Sequence, residues 1–288
     1  MPNKSRYRRS ARHRRNRFGR PQLAMLLLVV AIAAVVAERF SACGHPTAGG
    51  IDIDTACLTK AVIPDGQPEV IVPYTGFTVS FNPEQHIPNY VAWELTATEA
   101  EGSQPRESKF FQDTDVPGCP STDDYRRSGF DRGHMAPAAD MKWNAQAMHD
   151  SHSLANICPQ DHSLNSGRWS TLEKTCRQWA KRDSAIIIIC GPVMTDAMPQ
   201  TIGQAQVRVP RRFFKVILAP YADPVRAIGF IMPNSYTDEG LEELACSVDN
   251  IEAATGYDFF ACLPDSIEAQ IESRPDFRAW TKGKTKRK

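Results

Sequence analysis

Short runs of hydrophobic residues, each bounded by Pro or Gly, predict the strands of a sheet. The runs are rich in Val, Ile and aromatic residues, and they cover 77–81, 90–96, 185–190, 213–219 and 226–232. Residues 186–189 are four isoleucines in a row, without polar alternation. Such a run is typical of a strand that is covered on both faces. The pattern therefore places 185–190 at the centre of the sheet.

A second pattern repeats at intervals of three and four residues and predicts a helix. The apolar stripe covers 166–181, and it consists of Trp169, Leu172, Cys176 and Trp179. A shorter helix is predicted over 250–255, with Gly256 as its stop. Strands and helices do not alternate regularly along the chain. We therefore predict an α+β fold with a mainly antiparallel central sheet flanked by helices.

The ends of the chain differ from its middle in composition and predict five segments. These are a basic segment at 1–22, an apolar segment at 23–37, a linker at 38–70, a folded domain at 71–275 and a basic tail at 276–288. The apolar segment has fifteen uncharged residues, fewer than the roughly 20 that span a bilayer but suited to a signal peptide. A signal anchor and a cleaved signal peptide are both kept as interpretations. Basic residues in front of it predict that the rest of the chain is exported.

Net charge is +1, but its distribution along the chain is uneven. Of the 34 basic residues, nine lie in the first twenty positions and five in the last eight, so residues 21–280 hold 20 basic and 33 acidic residues, a net charge of −13. A chain of this kind does not hold nucleic acid by its overall charge. Any binding of phosphodiesters must come from a local basic cluster and a bound cation. Candidates for the cluster are Arg126, Arg127, Arg132, Lys142, Arg168, Lys174 and Arg177.

The eight cysteines form an even set without a Cys-x-x-Cys pair, which argues against a zinc knuckle. In an exported domain an even count predicts disulfides, and we expect Cys246 to pair with Cys262 because they bracket one helix and turn. The alternative for Cys176 and Cys190 is a free thiol, since both lie in apolar patterns where buried free cysteines are common.

The most informative motif places an acid, a guanidinium, a glycine and an imidazole in four consecutive residues, Asp131, Arg132, Gly133 and His134. An imidazole is the side chain best suited to accept a proton near neutral pH, and we expect the glycine to present it on bent backbone. Further polar groups follow at spacings that allow them to converge with His134. They are Asn156, Gln160, Asn165, Arg168, Glu173 and Arg177.

These segments together resemble the DNA/RNA non-specific endonucleases, a family of ββα-metal or His-Me finger nucleases that includes secreted bacterial nucleases and endonuclease G. The resemblance covers roughly 72–272. Besides the motif, it includes the early strand at 88–96, an upstream arginine at Arg106, and the closing helix and turn at 248–260. It implies a ββα-metal nuclease fold and identifies 71–275 as the endonuclease domain.

The resemblance also implies the roles of four residues. His134 would be the general base that takes a proton from water, and Asn156 would help to hold its imidazole. Asn165 would bind one Mg²⁺, or Mn²⁺ in its place, and Glu173 would act on the ion through a bound water. Few protein ligands and several waters are the coordination that Mg²⁺ prefers.

Three arginines are the candidates for stabilising charge on the phosphate: Arg177, Arg106 and Arg132. On a helix, Glu173 and Arg177 are neighbours at positions i and i+4. Their structural alternative is an ordinary surface ion pair. Asp131 is expected to be a structural partner for a nearby backbone or Arg group.

The implied function is metal-dependent, sequence-non-specific hydrolysis of phosphodiester bonds in DNA and RNA, with 5′-phosphate products. The alternatives are a catalytically silent nuclease fold that only binds nucleic acid, and a hydrolase of another phosphodiester. Expected partners are DNA and RNA as substrates, a membrane through 23–37 if that segment is uncleaved, and a second copy of the chain as a homodimer. Location is predicted as exported, periplasmic or at the cell surface, and membrane-anchored; secretion and a mitochondrial location are the alternatives.

Overall fold

A seven-stranded antiparallel sheet is the largest element of the computed structural model, which describes residues 54–194 and 199–281. Its strands are β2 (Val70–Tyr74), β3 (Phe77–Asn82), β4 (Ile87–Thr96), β7 (Ala185–Pro192), β10 (Arg212–Ala219), β11 (Arg226–Pro233) and β12 (Ala245–Cys246). Their order across the sheet is β12-β11-β10-β7-β4-β3-β2. The predicted strands are thus all present, and the prediction of a mainly antiparallel sheet with helices is confirmed.

Strand β7 lies at the centre of the sheet, as its isoleucine run predicts, and all eight of its residues are buried. Side chains alternate along it, so that Ile186 and Ile188 enter one hydrophobic core while Ile187 and Ile189 enter another on the opposite face. The absence of polar alternation is explained by these two cores.

Three two-stranded ribbons accompany the sheet within the described residues. They are β1 (Ala61–Val62) with β13 (Asp258–Phe259), β5 (Asp131–His134) with β6 (Ile157–Gln160), and β8 (Gln200–Ile202) with β9 (Val207–Val209). The second ribbon contains the Asp-Arg-Gly-His motif. Because three of the four residues of this motif are polar or charged, the hydrophobic pattern alone predicted no strand there.

The helices are α1 (Thr55–Leu58), α2 (Ala145–Asp150), α3 (Ser170–Asp183), α4 (Leu241–Leu244), α5 (Val248–Thr255), α6 (Asp265–Glu272) and α7 (Phe277–Thr281). Short 3₁₀ turns lie at Glu99–Glu101 and Leu154–Asn156. Helix α5 ends at Gly256, whose φ of 76° is left-handed, so the predicted stop is confirmed.

The helix predicted over 166–181 consists of two elements. A π-turn at Leu164–Trp169, with non-helical backbone at Gly167 (φ −98°, ψ −110°), leads into α3. The predicted stripe is buried, and the ring of Trp179 stacks on Phe230 and packs at a tilt against Trp280. A π-turn changes the angular spacing of the side chains in front of α3. The positions of Asn165 and Glu173 therefore do not follow from α-helical geometry alone.

The predicted domain boundaries are too narrow at both ends. Residues 54–70 belong to the fold rather than to a linker, because Leu58 is buried and Ala61 pairs with Phe259. At the other end, α7 buries Trp280 inside the predicted basic tail. Elements of two to five residues carry no periodic signal, which explains both errors. The segments 1–22 and 23–37, and the remaining parts of the linker and tail, lie outside the described residues.

The predicted disulfide between Cys246 and Cys262 is wrong. Cys262 is bonded to Cys57, 205 residues away, and Cys246 is a half-buried free thiol. Pairing of β1 with β13 places the start of the domain beside its end, and nearness in sequence did not reveal this. Cys176 and Cys190 are buried and free, as in the alternative interpretation.

We predict that Cys262→Ser lowers the free energy of unfolding by about 2–5 kcal/mol, because the unfolded chain loses a cross-link that closes a long loop. Urea unfolding of the oxidised protein measures this. Cys246→Ser is the matched control and should change stability by less than about 1 kcal/mol. Equal losses in the two variants would contradict the observed pairing.

Candidate active site

The β5–β6 ribbon holds His134 in place. Asp131 pairs with Gln160 at one end of the ribbon, and His134 pairs with Ile157 at the other. Asn156 precedes β6, and its Nδ2 donates to the carbonyls of Ala136 and Ser151, each at 2.9 Å. Its Oδ1 accepts from the backbone N–H of Ala136 at 2.9 Å. Asn156 therefore fixes the backbone that follows His134; the predicted contact with the imidazole is absent from its hydrogen bonds.

Gly133 is required for close packing rather than for a bend. It lies in extended strand β5, where an added Cβ would overlap the side-chain amide of Gln160. Gln160 is fully buried across the ribbon. The expectation of bent backbone before His134 is thus replaced by a steric reason for glycine.

The imidazole of His134 is enclosed by aromatic rings and is only 7% exposed. Its centroid lies 5.1 Å from that of Phe110 and 5.1 Å from that of His152, which meets it edge-on. Nε2 is enclosed without a hydrogen-bond partner in the described residues, and the ring lines a cleft. Nδ1 is the other ring nitrogen, and it is not among the enclosed atoms without a partner. Burial, followed by the charges of His152, Arg106 and Arg132, lowers the pKa of His134 to about 3.

Asn165 is oriented by Asp131. The amide Nδ2 donates to Asp131 Oδ2 at 2.9 Å, and His162 Nδ1 lies 2.8 Å from the same oxygen. Because the amide nitrogen is used in this bond, Oδ1 is the atom available to a ligand. Asp131 thus has a definite task at the site, and its partners are an amide and an imidazole rather than the backbone or Arg group expected from the sequence.

Arg177 points into the protein. Its Nη1 donates to Asp140 Oδ1 at 2.7 Å, and Asp140, which is 1% exposed, also accepts from Trp93 Nε1 at 3.2 Å. Arg177 does not line the cleft. The predicted role on the phosphate is therefore not supported by its contacts, and the alternative of a surface ion pair with Glu173 is not observed either.

Glu173 lies one turn before Arg177 on α3 and is enclosed by charged groups. Burial raises the pKa of its carboxyl to about 7, against the lowering effect of Lys215, Arg177 and Arg106 and with Asp140 adding to the rise. Arg106 acts on both Glu173 and His134. The positive charge of Arg106 therefore lowers the pKa of the Glu173 carboxyl on α3 and also that of the His134 imidazole.

Lys215 is a residue of the site region that the sequence analysis missed. It lies on β10, is 1% exposed, and holds its ammonium 4.3 Å from the ring centroid of Trp169 and 5.2 Å from that of Trp93. Burial alone would lower its pKa, but its ionisable neighbours, among them Glu173, raise the pKa above the usual value. The available signal was a single lysine inside the apolar run of 213–219.

The cleft in front of His134 has a volume of about 810 Å³ and is strongly basic. Arg132 lies 4.5 Å above the ring of Phe110, and Asp131 is the acidic residue of the lining. Five basic residues line it: Arg106, Lys109, Arg126, Arg127 and Arg132. The local cluster that the charge distribution required is therefore present, although with a different membership from the predicted set.

The donor atoms at the cleft fit a hard cation. Asn165 offers an amide oxygen to the cleft, and Glu173 supplies a carboxylate on helix α3, although Glu173 is not among the residues that line the cleft. Mg²⁺ and Mn²⁺ prefer such oxygen ligands over nitrogen or sulfur. The residues present agree with the ion that the sequence predicted.

The known proteins that this chain resembles are nucleases. A model of the DNA/RNA non-specific endonuclease family matches residues 56–266. Mitochondrial nuclease EXOG of Danio rerio is 35% identical over 207 residues, which cover 66% of this chain and 60% of that protein. Mitochondrial endonuclease G of Homo sapiens is 36% identical over 165 residues, covering 52% of this chain and 56% of that protein. The chain thus spans less than two thirds of the length of these relatives.

A solved structure shares the fold. It is described as the crystal structure of the EndoG/EndoGI complex and the mechanism of EndoG inhibition, and its matching chain is 26% identical with a TM-score of 0.63. The match covers 68% of this chain and 87% of that chain. The strand pair β5–β6 followed by α3 is the ββα unit of the predicted fold.

The predicted location is corrected by these relatives. Proteins from Danio rerio and Homo sapiens that match the chain are named as mitochondrial nucleases, so the prediction of an exported, membrane-anchored protein is wrong. The mitochondrial alternative agrees with their names. Within 54–194 and 199–281, no helix has the length and apolar character needed to cross a bilayer.

The buried imidazole, the oriented amide and the basic cleft stand at the motif positions that suggested the family, and the family model covers the same domain. The chain belongs to the DNA/RNA non-specific endonuclease family.

Proposed function

We propose that this chain is a metal-dependent endonuclease that hydrolyses phosphodiester bonds of DNA and RNA with little sequence preference and leaves 5′-phosphates. One observation carries the proposal: a neutral imidazole and an oriented amide oxygen face the same basic cleft. The family membership and the names of the relatives support it.

His134 is the general base of the proposed reaction. Its low pKa keeps the imidazole neutral near pH 7, so one ring nitrogen has a free lone pair; we assign it to Nδ1, because Nε2 is enclosed. A water that donates its proton to Nδ1 can attack the phosphorus, and the bond from phosphorus to the 3′-oxygen of the upstream nucleotide breaks. That oxygen takes a proton from solvent and leaves as a 3′-hydroxyl, while the phosphate stays on the 5′-oxygen of the downstream nucleotide.

Asn165 and Glu173 would hold the cation. When bound, Mg²⁺ or Mn²⁺ supplies Lewis-acid stabilisation of the charge that develops on the phosphate oxygens. Asp131 keeps the amide oxygen of Asn165 turned to the cleft, because the bond from Nδ2 prevents the amide from rotating.

Arg106 and Arg132 would bind the phosphate. Both line the cleft, and their guanidinium groups suit two-point contacts with phosphate oxygens. Contacts of this kind read the backbone and not the bases, which agrees with low sequence preference. The names of the relatives support action in mitochondria, and the first twenty residues, rich in Arg and without acids, have the composition of a presequence.

We predict that His134→Ala lowers the rate of plasmid nicking about 10²- to 10⁴-fold, because the water then loses its positioned base. Supercoiled plasmid and single-stranded RNA are incubated with the full chain and Mg²⁺, with and without chelator. His149→Ala is the matched control, since this exposed histidine stacks on Phe111 and does not line the cleft.

Each alternative function gives a different result in this assay. A silent nucleic-acid-binding protein leaves supercoiled plasmid intact in every lane. A hydrolase of another phosphodiester cleaves bis(p-nitrophenyl) phosphate but neither plasmid nor RNA. Equal activity of His134→Ala and the wild-type chain would remove His134 from the reaction.

The proton state of His134 is also predicted. Burial disfavours the imidazolium, so the ring should stay neutral from pH 8 down to pH 5 and take a proton only near its pKa of about 3. NMR titration of the chelator-treated protein measures this, with the ring signals assigned by their loss in His134→Gln. A midpoint near 6.5 would show that the ring is solvated and contradict the described enclosure.

A further inference from the structure

A group of three carboxylates lies outside the cleft, on two helices near the C-terminal end of the domain. Asp249 and Glu252 belong to α5, and Glu272 is the last residue of α6. One oxygen from each of the three lies within 4.8 Å of the other two. None of them lines the cleft of His134.

Glu272 is the unusual member of this group. It is 4% exposed, and its Oε1 is enclosed without a hydrogen-bond partner in the described residues. It also lies at the C-terminal end of α6, where the helix dipole disfavours negative charge. Burial, together with the nearby carboxylates, raises the pKa of Glu272 to about 9; these carboxylates are Glu252, Glu268, Asp249 and Asp258.

Within residues 54–194 and 199–281, no basic side chain forms an ion pair with Asp249, Glu252 or Glu272. A buried carboxylate is costly unless it is paired or coordinates a metal. A cation would remove the repulsion among the three groups and give the enclosed oxygen a partner.

The spacing of the oxygens suits a calcium-sized ion. Ca²⁺ binds oxygens at about 2.3–2.6 Å, so two of its ligands are at most about 5 Å apart. The separation of up to 4.8 Å meets this condition. Glu252 is partly fixed already, because its Oε1 accepts from the backbone N–H of Phe259 at 2.9 Å. Its other oxygen is left for a ligand.

We propose that Asp249, Glu252 and Glu272 form a second cation site, which binds Ca²⁺ and joins α5 to α6. All three ligands are carboxylates, which excludes a preference for soft metals. Asp249 is exposed, so water can complete the variable coordination of Ca²⁺, whereas Mg²⁺ demands a near-ideal octahedron. The ion would stabilise the end of the domain in which Cys262 is bonded to Cys57.

Calcium binding to the full chain tests the proposal after treatment with chelator. Equilibrium dialysis with radioactive Ca²⁺ and thermal unfolding are compared for the wild type, Glu272→Gln and Asp265→Asn. The last is the matched control, an exposed acid in the first turn of the same helix. Each is measured alone and in an Asn165→Ala background, which separates this site from the cleft.

We expect Ca²⁺ to raise the Tm of the wild type by about 5 °C at a concentration far above Kd. Glu272→Gln should weaken this binding at least tenfold and abolish the rise in Tm, in both backgrounds, whereas Asp265→Asn should retain both. Asp249→Asn, at the exposed rim, should weaken binding without affecting folding, and it serves as the test variant if Glu272→Gln does not fold.

Two results would overturn the proposal. One is unchanged Ca²⁺ binding in Glu272→Gln and Asp249→Asn. The other is a wild type whose Tm does not respond to Ca²⁺ while Glu272→Gln is more stable than the wild type in chelator; the carboxyls would then share a proton instead of an ion. Neither result depends on nuclease activity.

Discussion

Pairing of β5 with β6 is the constraint on which the rest of the site depends. The ribbon carries Asp131 at one end and His134 at the other, so one set of backbone hydrogen bonds fixes both the group that orients Asn165 and the imidazole. Asn156 fixes the backbone beyond the ribbon, because its side chain accepts a hydrogen bond from the N–H of Ala136 and donates one to the carbonyl of Ala136. Trp169 Nε1 then donates to the carbonyl of His134 at 3.3 Å and ties the start of α3 to the same strand.

Burial, more than any single charge, sets the chemistry of the site. It is the largest cause of the low pKa of His134 and of the high pKa of Glu173, and it pushes each group toward its neutral form. Behind the cleft, Arg177 is paired with Asp140, and Lys215 lies between two tryptophan rings. These positive groups lower the pKa of Glu173 and favour its carboxylate, the form that a cation needs.

The sequence predicted those parts of the structure that depend on local patterns. The isoleucine run of β7 predicted the central strand, because a strand buried on both faces has a continuous apolar run. The stripe from Trp169 to Trp179 predicted the main helix, because a helix buried on one face has apolar residues at intervals of three and four. The motif also led to the cleft, where the structure brings together His134, Asn165, Arg106 and Arg132.

What the sequence did not reveal depends on contacts between distant segments. The disulfide between Cys57 and Cys262 depends on the pairing of the two-residue strands β1 and β13. Lys215 is enclosed only when β10 packs against Trp169, which precedes α3. The inward direction of Arg177 depends on Asp140, 37 residues earlier. The kink at Gly167 could not be read from helical spacing, since a π-turn has no apolar repeat of its own.

The central claim is that His134 and Asn165 act on the same phosphate, and one crystallographic measurement tests it most directly. The full chain would be crystallised with Mn²⁺ and an uncleavable oligonucleotide, and the ion located by its anomalous signal. The account predicts the Mn²⁺ peak at coordination distance from Asn165 Oδ1, with His134 Nδ1 facing the phosphate that the ion contacts. An ion bound away from Asn165, or a phosphate out of reach of His134, would contradict it.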